Sequence, residues 1–329
     1  MDYRQIIADS WKYTQDNKKL VIWLGFFPAF FTTSVGVWII VYQFFAFKES
    51  ALFNDHDGNL MKDVVLFIWE FISQHLSWTM PLVIAAIVFA LFYFLFPTLA
   101  QAAAIQKIAR NKNGQKAGVG AGIRHGIMSY LPLFEYHLLI KTFSFFSILV
   151  EMSFVVRNLG TELFRIFMPI FLLFMVISFI LTLLFTYSDF FIVIDGIGVF
   201  DSMKRSARMV IMHWKHTFLV TLLMLLIGIR IIIQVVLVFL IPGLVILVAG
   251  YLATVALPIT TVIVGGIVGA VGLVTASYLN GVVDIFAYAV WTFTFLDLTS
   301  EKELSAREVL VEEPFEEENE SPAPHRNLS

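Results

Sequence analysis

The chain has 329 residues, of which 59% are hydrophobic and 14% charged, and its mean hydropathy is +0.83. Soluble domains run at about 45–50% apolar and about 25% charged, so a water-soluble globule of this composition would be left with apolar surface it could not hide. With no cysteine, disulfides, thiolate metal sites and cysteine nucleophiles are excluded, and a net charge of −3 gives no overall attraction for nucleic acid.

In chain order, 1–19 carries Arg4, Lys12, Lys18 and Lys19 on a weakly amphipathic helix with Tyr3, Ile7 and Trp11 on one side. The apolar run 20–47 is too long for a signal-peptide core and has no A-x-A-like cleavage site, so it is expected to be a retained first span. Residues 51–79 read as an extracytoplasmic loop turning at Asn54, Asp55, Asp57 and Gly58, with Val64, Ile68, Phe71 or Ile72, and Leu76 spaced as a surface-lying helix. Thr79 and Pro81 open a second span, 80–105, which Pro97 should kink. The loop 106–126 is the most basic, with Lys107, Arg110, Lys112, Lys116 and Arg124. A third span, 129–150, is the least apolar because it holds Glu135, His137 and Lys141; a connector, 151–163, leads to a fourth at 164–191.

Residues 198–219 hold the clearest local signal. Phe200, Met203, Ala207, Val210 or Ile211, and Trp214 recur at helical spacing, while Asp201, Lys204, Arg205, Arg208 and Lys215 fall on the other side. A helix of this kind lies in a membrane interface, with apolar side chains toward the acyl region and cations toward headgroup phosphates. Lys204, Arg205, Arg208, Trp214 and Lys215 are therefore the expected interfacial residues. A fifth span follows at 217–241, with Arg230 and Gln234 inside it. The stretch 242–258 is short for a crossing and reads as re-entrant or broken, a seventh crossing being the alternative. A sixth span occupies 259–298, where Gly265, Gly266, Gly269, Gly272 and Ala276 form a small-residue stripe and Asn280 and Asp284 lie one turn apart. Residues 299–329 are rich in glutamate and proline and are expected to be a disordered cytoplasmic tail. The tail reads as solvated throughout, with docking of a protein partner through Val309–Val311 and Phe315 as the alternative.

Six crossings agree with the distribution of cations. Segments 1–19, 106–126 and 195–215 hold 4, 5 and 4 Lys plus Arg, whereas 48–79, 151–165 and 242–258 hold 2, 2 and 0. Thirteen against four places the first set, and both termini, on the cytoplasmic side of a cell (inner) membrane. The fold class expected is thus an all-α polytopic membrane domain over 1–298, with six transmembrane helices and interfacial amphipathic helices. Ser10 with Trp11 echoes Ser206 with Trp214, and Gly126 followed by Tyr130 makes a looser third copy. Either three hairpins repeat with approximate rotational symmetry, or membrane composition alone imposes the likeness.

IADSWKYTQDNKKLVIWLGFFP, QAAAIQKIARNKNG, VIDGIGVFDSMKRSARMVIMHW and AYAVWTFTFLDL together resemble bacterial six-span integral membrane proteins. Some of these are related to the membrane domain that accompanies certain glycerophosphodiester phosphodiesterases. The resemblance implies a six-helix membrane domain without an assigned activity. No soluble catalytic barrel is attached to this sequence, so none of the catalysis carries over.

Within the spans, Lys141 and Arg230 lie about 18–20 Å from the cytoplasmic ends of their helices, in a core about 30 Å thick. A charge there must be paired, hydrated or snorkelling. Arg230 either reaches the outer interface or points inward with Lys141, toward Glu135, Asp189, Asp284 or an anionic ligand, and Gln234 extends the same stripe. His137 and Lys141 share a helix face, whereas Glu135 and His137 do not. Lys141, Arg230, Gln234, Glu135 and His137 are accordingly the candidate ligand-binding residues. No HExxH, GxSxG or Walker A run occurs, and His213 and His216, three apart, flank Trp214 at headgroup level. No catalytic, metal or cofactor site is expected. The function read from the sequence is a non-catalytic membrane protein that binds or moves lipid or another amphiphile, or acts as an envelope scaffold, with the bilayer and its anionic headgroups as partners. A membrane-embedded enzyme acting on a lipid-linked phosphate is the alternative.

Overall fold

The computed structural model describes residues 3–48, 74, 76–115, 118–141, 145–229 and 258–312, and they contain helices and turns but no strand. The order is α1 (Tyr3–Asp16), a short turn Lys18–Leu20, a π-helical stretch Val21–Phe26, α2 (Phe27–Lys48), α3 (Leu76–Lys112), α4 (Val119–Lys141), α5 (Phe145–Leu184), α6 (Ser188–Ile194), α7 (Val199–Met212), α8 (Trp214–Ile229) and α9 (Pro258–Glu312). With 37, 40 and 55 residues, α3, α5 and α9 extend for about 55, 60 and 80 Å, each more than a hydrocarbon core about 30 Å thick.

Among the described residues, four helices are long and apolar enough to cross a membrane, and a fifth is gained if α7 and α8, bent by 96° at their junction, count as one span. The apolar surface is distributed in the reverse of a soluble protein. Along α3, Leu82, Ile84, Leu91 and Phe94 are all more than half exposed, as are Ile166, Leu173, Val176 and Phe179 along α5. Such a continuous exposed belt is compatible with a lipid surround and not with water.

Burial is concentrated at one end, in two adjoining cores. The first gathers Ile6 of α1, Leu20 and Leu24 of the π-helical approach, Ala103 of α3, Val220 of α8 and Phe286, Ala289 and Phe293 of α9. The second gathers Ile105 of α3, Leu133 and Tyr136 of α4, Phe190–Val193 of α6, Met209 and Val210 of α7 and Phe295 and Leu298 of α9. Glycines set the closest approaches. A Cβ at Gly25 would lie 2.5 Å from the Gly281 carbonyl oxygen, and a Cβ at Gly126 would lie 2.7 Å from the Ala103 nitrogen. Helices crossing this closely gain packing contacts that side chains larger than hydrogen would prevent.

Several boundaries differ from the sequence reading. Of the third span expected at 129–150, α4 is described to Lys141 and α5 from Phe145, and α5 runs unbroken through the connector expected at 151–163. Glu135, His137 and Lys141 lower the hydropathy of α4, which is not among the helices apolar enough to cross. Within the expected tail, residues 299–312 are the last part of α9. The loop helix expected within 51–73, the segment 242–257 and the tail beyond Glu312 lie outside the described residues. On α9, a Cβ at Gly269 would meet nothing within 4 Å; the close approach occurs at Gly281, three turns further on.

Gly126 and Gly120 therefore separate packing from propensity within one helix. Gly126→Ala should lower the thermal unfolding midpoint in detergent, by an overpacking cost of about 1–3 kcal/mol. Gly120→Ala, with nothing within 4 Å of the added methyl, should be neutral or slightly stabilising.

Candidate functional site

The amphipathic segment is built around α7, and its surface divides into three sides. Ser202, Ser206, Met209 and Val210 are buried against the second core. Lys204, Arg205 and Arg208 are exposed on the far side. Between them lies an exposed apolar edge: Phe200 is 78% exposed, Ile211 66% and, at the start of α8, Trp214 58%. The sequence pattern merges the two apolar sides into one stripe, because periodicity does not distinguish a side chain facing protein from one facing lipid. Lys215 is exposed beside Trp214.

Ser206 joins this helix to the break between α5 and α6. Its hydroxyl donates to the Leu184 carbonyl (2.8 Å) and accepts the Tyr187 amide (3.0 Å), pairing two backbone groups that the break leaves without helical partners. The Tyr187 hydroxyl lies 3.2 Å from Thr217 Oγ1 on α8. On the other flank of α8, the Tyr3 hydroxyl meets His216 Nδ1 and ties α1 to the same corner. His213 and His216 have ring centroids 6.4 Å apart, and no group of three His, Asp or Glu among the described residues could hold a metal ion.

A second polar centre lies where α3, α4 and α6 meet. Asp189 Oδ2 accepts from Gln101 Nε2 (2.5 Å) and stands 3.6 Å from His137 Nε2, and His137 Nδ1 is 3.4 Å from Thr98 Oγ1. Asp189 Oδ1 is buried and has no hydrogen-bond partner among the described residues. The Gln106 side chain donates to the Val193 carbonyl, joining α3 to α6, and the Tyr136 hydroxyl donates to the Phe185 carbonyl (3.0 Å), joining α4 to the turn between α5 and α6.

The third centre fixes α1 to α3. Lys107, only 5% exposed, donates from Nζ to Asn17 Oδ1 (2.6 Å), with the Tyr13 ring 5.8 Å away. Asn111 Nδ2 donates to the Tyr13 hydroxyl (3.1 Å). Burial pushes that hydroxyl up to about 12, with the Asn111 bond acting in the opposite direction. A cation that the sequence reading places in the basic loop 106–126 is thus a structural clamp between α1 and α3.

Of the ligand-binding candidates, His137 faces Asp189 and Thr98, while Glu135 is exposed on α4 and takes no part in that centre. Lys141 is the last residue of α4 but its side chain is outside the described set, as are Arg230 and Gln234 entirely. Asn280 donates to Thr33 Oγ1 on α2 (3.0 Å). Thr98, Gln101 and Ser206 were not singled out as polar partners by the sequence. A glutamine within the apolar run of α3 was the available signal for Gln101.

No family model, curated protein or solved structure matches the chain. The likeness to the membrane domain associated with glycerophosphodiester phosphodiesterases therefore rests on the quoted sequence patterns alone.

Ser10 and Ser206, the paired serines of the proposed repeat, should respond differently to removal of the hydroxyl. Ser206→Ala leaves a buried carbonyl and a buried amide unpaired and should cost about 1–3 kcal/mol, read as a lower unfolding midpoint. Ser10→Ala removes a buried hydroxyl that has no partner among the described residues and should be neutral or stabilising.

Proposed function

We propose that this is a multi-pass protein of the cell (inner) membrane, with both termini cytoplasmic, that engages anionic lipid headgroups and binds or moves lipid or another amphiphile, or scaffolds the envelope, without chemistry of its own. The observation that carries this reading is the corner at His213. There α7, with an exposed Phe200–Ile211–Trp214 edge beside Lys204, Arg205 and Arg208, turns by 96° into the apolar α8. A helix lying flat in the headgroup layer and then entering the acyl region needs such a turn and such an edge.

Six crossings, arranged as three surface-helix and hairpin units, belong to the same proposal. In support, each amphipathic segment rests on the end of a long helical element that precedes it in cyclic order. The start of α4 rests on α3 through Gly122 and Gly126. Helix α7 rests on the α5–α6 break through Ser206, and α1 rests on α9 through Ile6, Phe286 and Ala289. The likeness to six-span membrane domains points the same way.

One observation favours the alternative, an embedded enzyme on a lipid-linked phosphate. Thr98, His137 and Asp189 stand in a line, with a histidine between a hydroxyl and a carboxylate, as a nucleophile, base and orienting group would. Thr98 is only 7% exposed, which leaves a substrate little access to that hydroxyl. The non-catalytic reading is preferred for that reason.

The test compares thermal unfolding of the purified full chain in phosphatidylcholine nanodiscs with and without phosphatidylglycerol. At about 1 kcal/mol per cation near an anionic surface, the wild-type chain should be stabilised by phosphatidylglycerol. High salt should remove the effect, and Lys204→Gln/Arg205→Gln/Arg208→Gln should lose most of it. Equal midpoints for the wild type in both lipids would reject the headgroup role.

A further inference from the structure

Between α3 and α4 lies an open groove of about 390 Å³, lined by apolar side chains and one tyrosine. Leu91, Leu95 and Leu99 recur one turn apart along α3, with Phe96 beside them, and Ile127 and Tyr130 form the wall on α4. The groove arises from how α4 is used. Gly122 and Gly126 clamp its first turns onto Ala103, while Leu133 and Tyr136 turn into the core shared with α6. Among the described residues no helix lies across the Leu91–Leu99 side of α3, and Leu91 and Leu95 are 55% and 45% exposed.

The groove runs for about 12 Å along α3, and its volume lies within the range of about 300–1,000 Å³ typical of small-molecule sites. In a bilayer its natural occupant is hydrocarbon. Acyl chains are as apolar as leucine, so the walls alone cannot prefer one lipid to another. Any selectivity must come from a polar group at the end of the groove, and α4 supplies one. Arg124 is exposed and lies one turn before Ile127 on the same helix face, at the Gly122–Gly126 end, where α3 carries Lys107, Arg110 and Lys112. Lys107 is engaged with Asn17, and Lys112 Nζ lies 4.5 Å from the centre of the Phe293 ring.

We propose that this groove is a site for one anionic phospholipid, with an acyl chain along Leu91–Leu99 and the phosphate met by Arg124. It rests on the membrane reading above and adds to it a particular lipid class at a particular place. Bulk solvation by whichever lipid is present is the competing occupancy.

The experiment uses the full chain in nanodiscs containing trace phosphatidylglycerol or phosphatidylcholine, each with a diazirine on one acyl chain, and maps adducts by peptide mass spectrometry. The exposed side of α5 around Leu172, Leu173 and Val176 is the internal reference and should be labelled equally by both lipids. Expected at Leu91–Leu99 and Ile127 is several-fold more labelling by phosphatidylglycerol. Arg124→Gln should bring it down to the phosphatidylcholine level, and Ile127→Trp, which fills the groove, should lower labelling by both. Equal labelling of groove and reference by the two lipids in the wild-type chain would overturn the site while leaving the membrane reading intact. Absence of label on α5 as well as in the groove would overturn both.

Discussion

Hydrocarbon left exposed along α3 and α5 is the constraint to which the rest of the structure answers. Side chains such as Leu82, Leu91, Ile166 and Leu173 project from helices whose neighbours do not cover them, while small and polar residues are packed together at one end. In water this arrangement would collapse or aggregate; in a bilayer the exposed stretch is solvated by acyl chains. The backbone meets the same requirement, since helices satisfy their own hydrogen bonds in a medium that offers none.

With lipid supplying no drive for helix to pack on helix, association at the buried end depends on close approach and on hydrogen bonds. Gly25 against Gly281 and Gly126 against Ala103 bring backbones together. Ser206 repairs the interruption between α5 and α6, and Lys107, Asn17, Tyr13 and Asn111 hold α1 on α3. The His137–Asp189–Gln101 centre cross-links three helices at the same end. The exposed cations and aromatic edge of α7 are carried on the side of that helix away from its packed Ser202, Ser206, Met209 and Val210.

The helical class and the apolar character were legible because composition and long hydrophobic runs report them directly. Periodicity also found α7, but not which of its apolar residues meet protein: Met209 and Val210 pack inward, and Phe200 and Ile211 do not. Boundaries near polar residues were the least legible. Residues 145–163 look like an end and a connector because Glu151, Arg157 and Glu162 interrupt the run, yet they continue one helix. The partners of His137 were not readable from local spacing, since Asp189 stands 52 positions away and meets it only through the packing of α4 on α6. A same-face neighbour such as Lys141 is all that helical spacing can suggest.

Sidedness is the most direct measure of whether lipid is this chain's solvent and whether its cationic segments share one surface. The absence of native cysteine allows single cysteines at Lys12, Lys112, Arg205 and Arg165 to be probed with a membrane-impermeant maleimide on sealed vesicles of known orientation. Expected is modification of the first three from the cytoplasmic side only, and of Arg165→Cys from the other. Reaction of Lys112→Cys and Arg205→Cys from opposite sides, or recovery of the folded chain in the aqueous fraction without detergent, would contradict it.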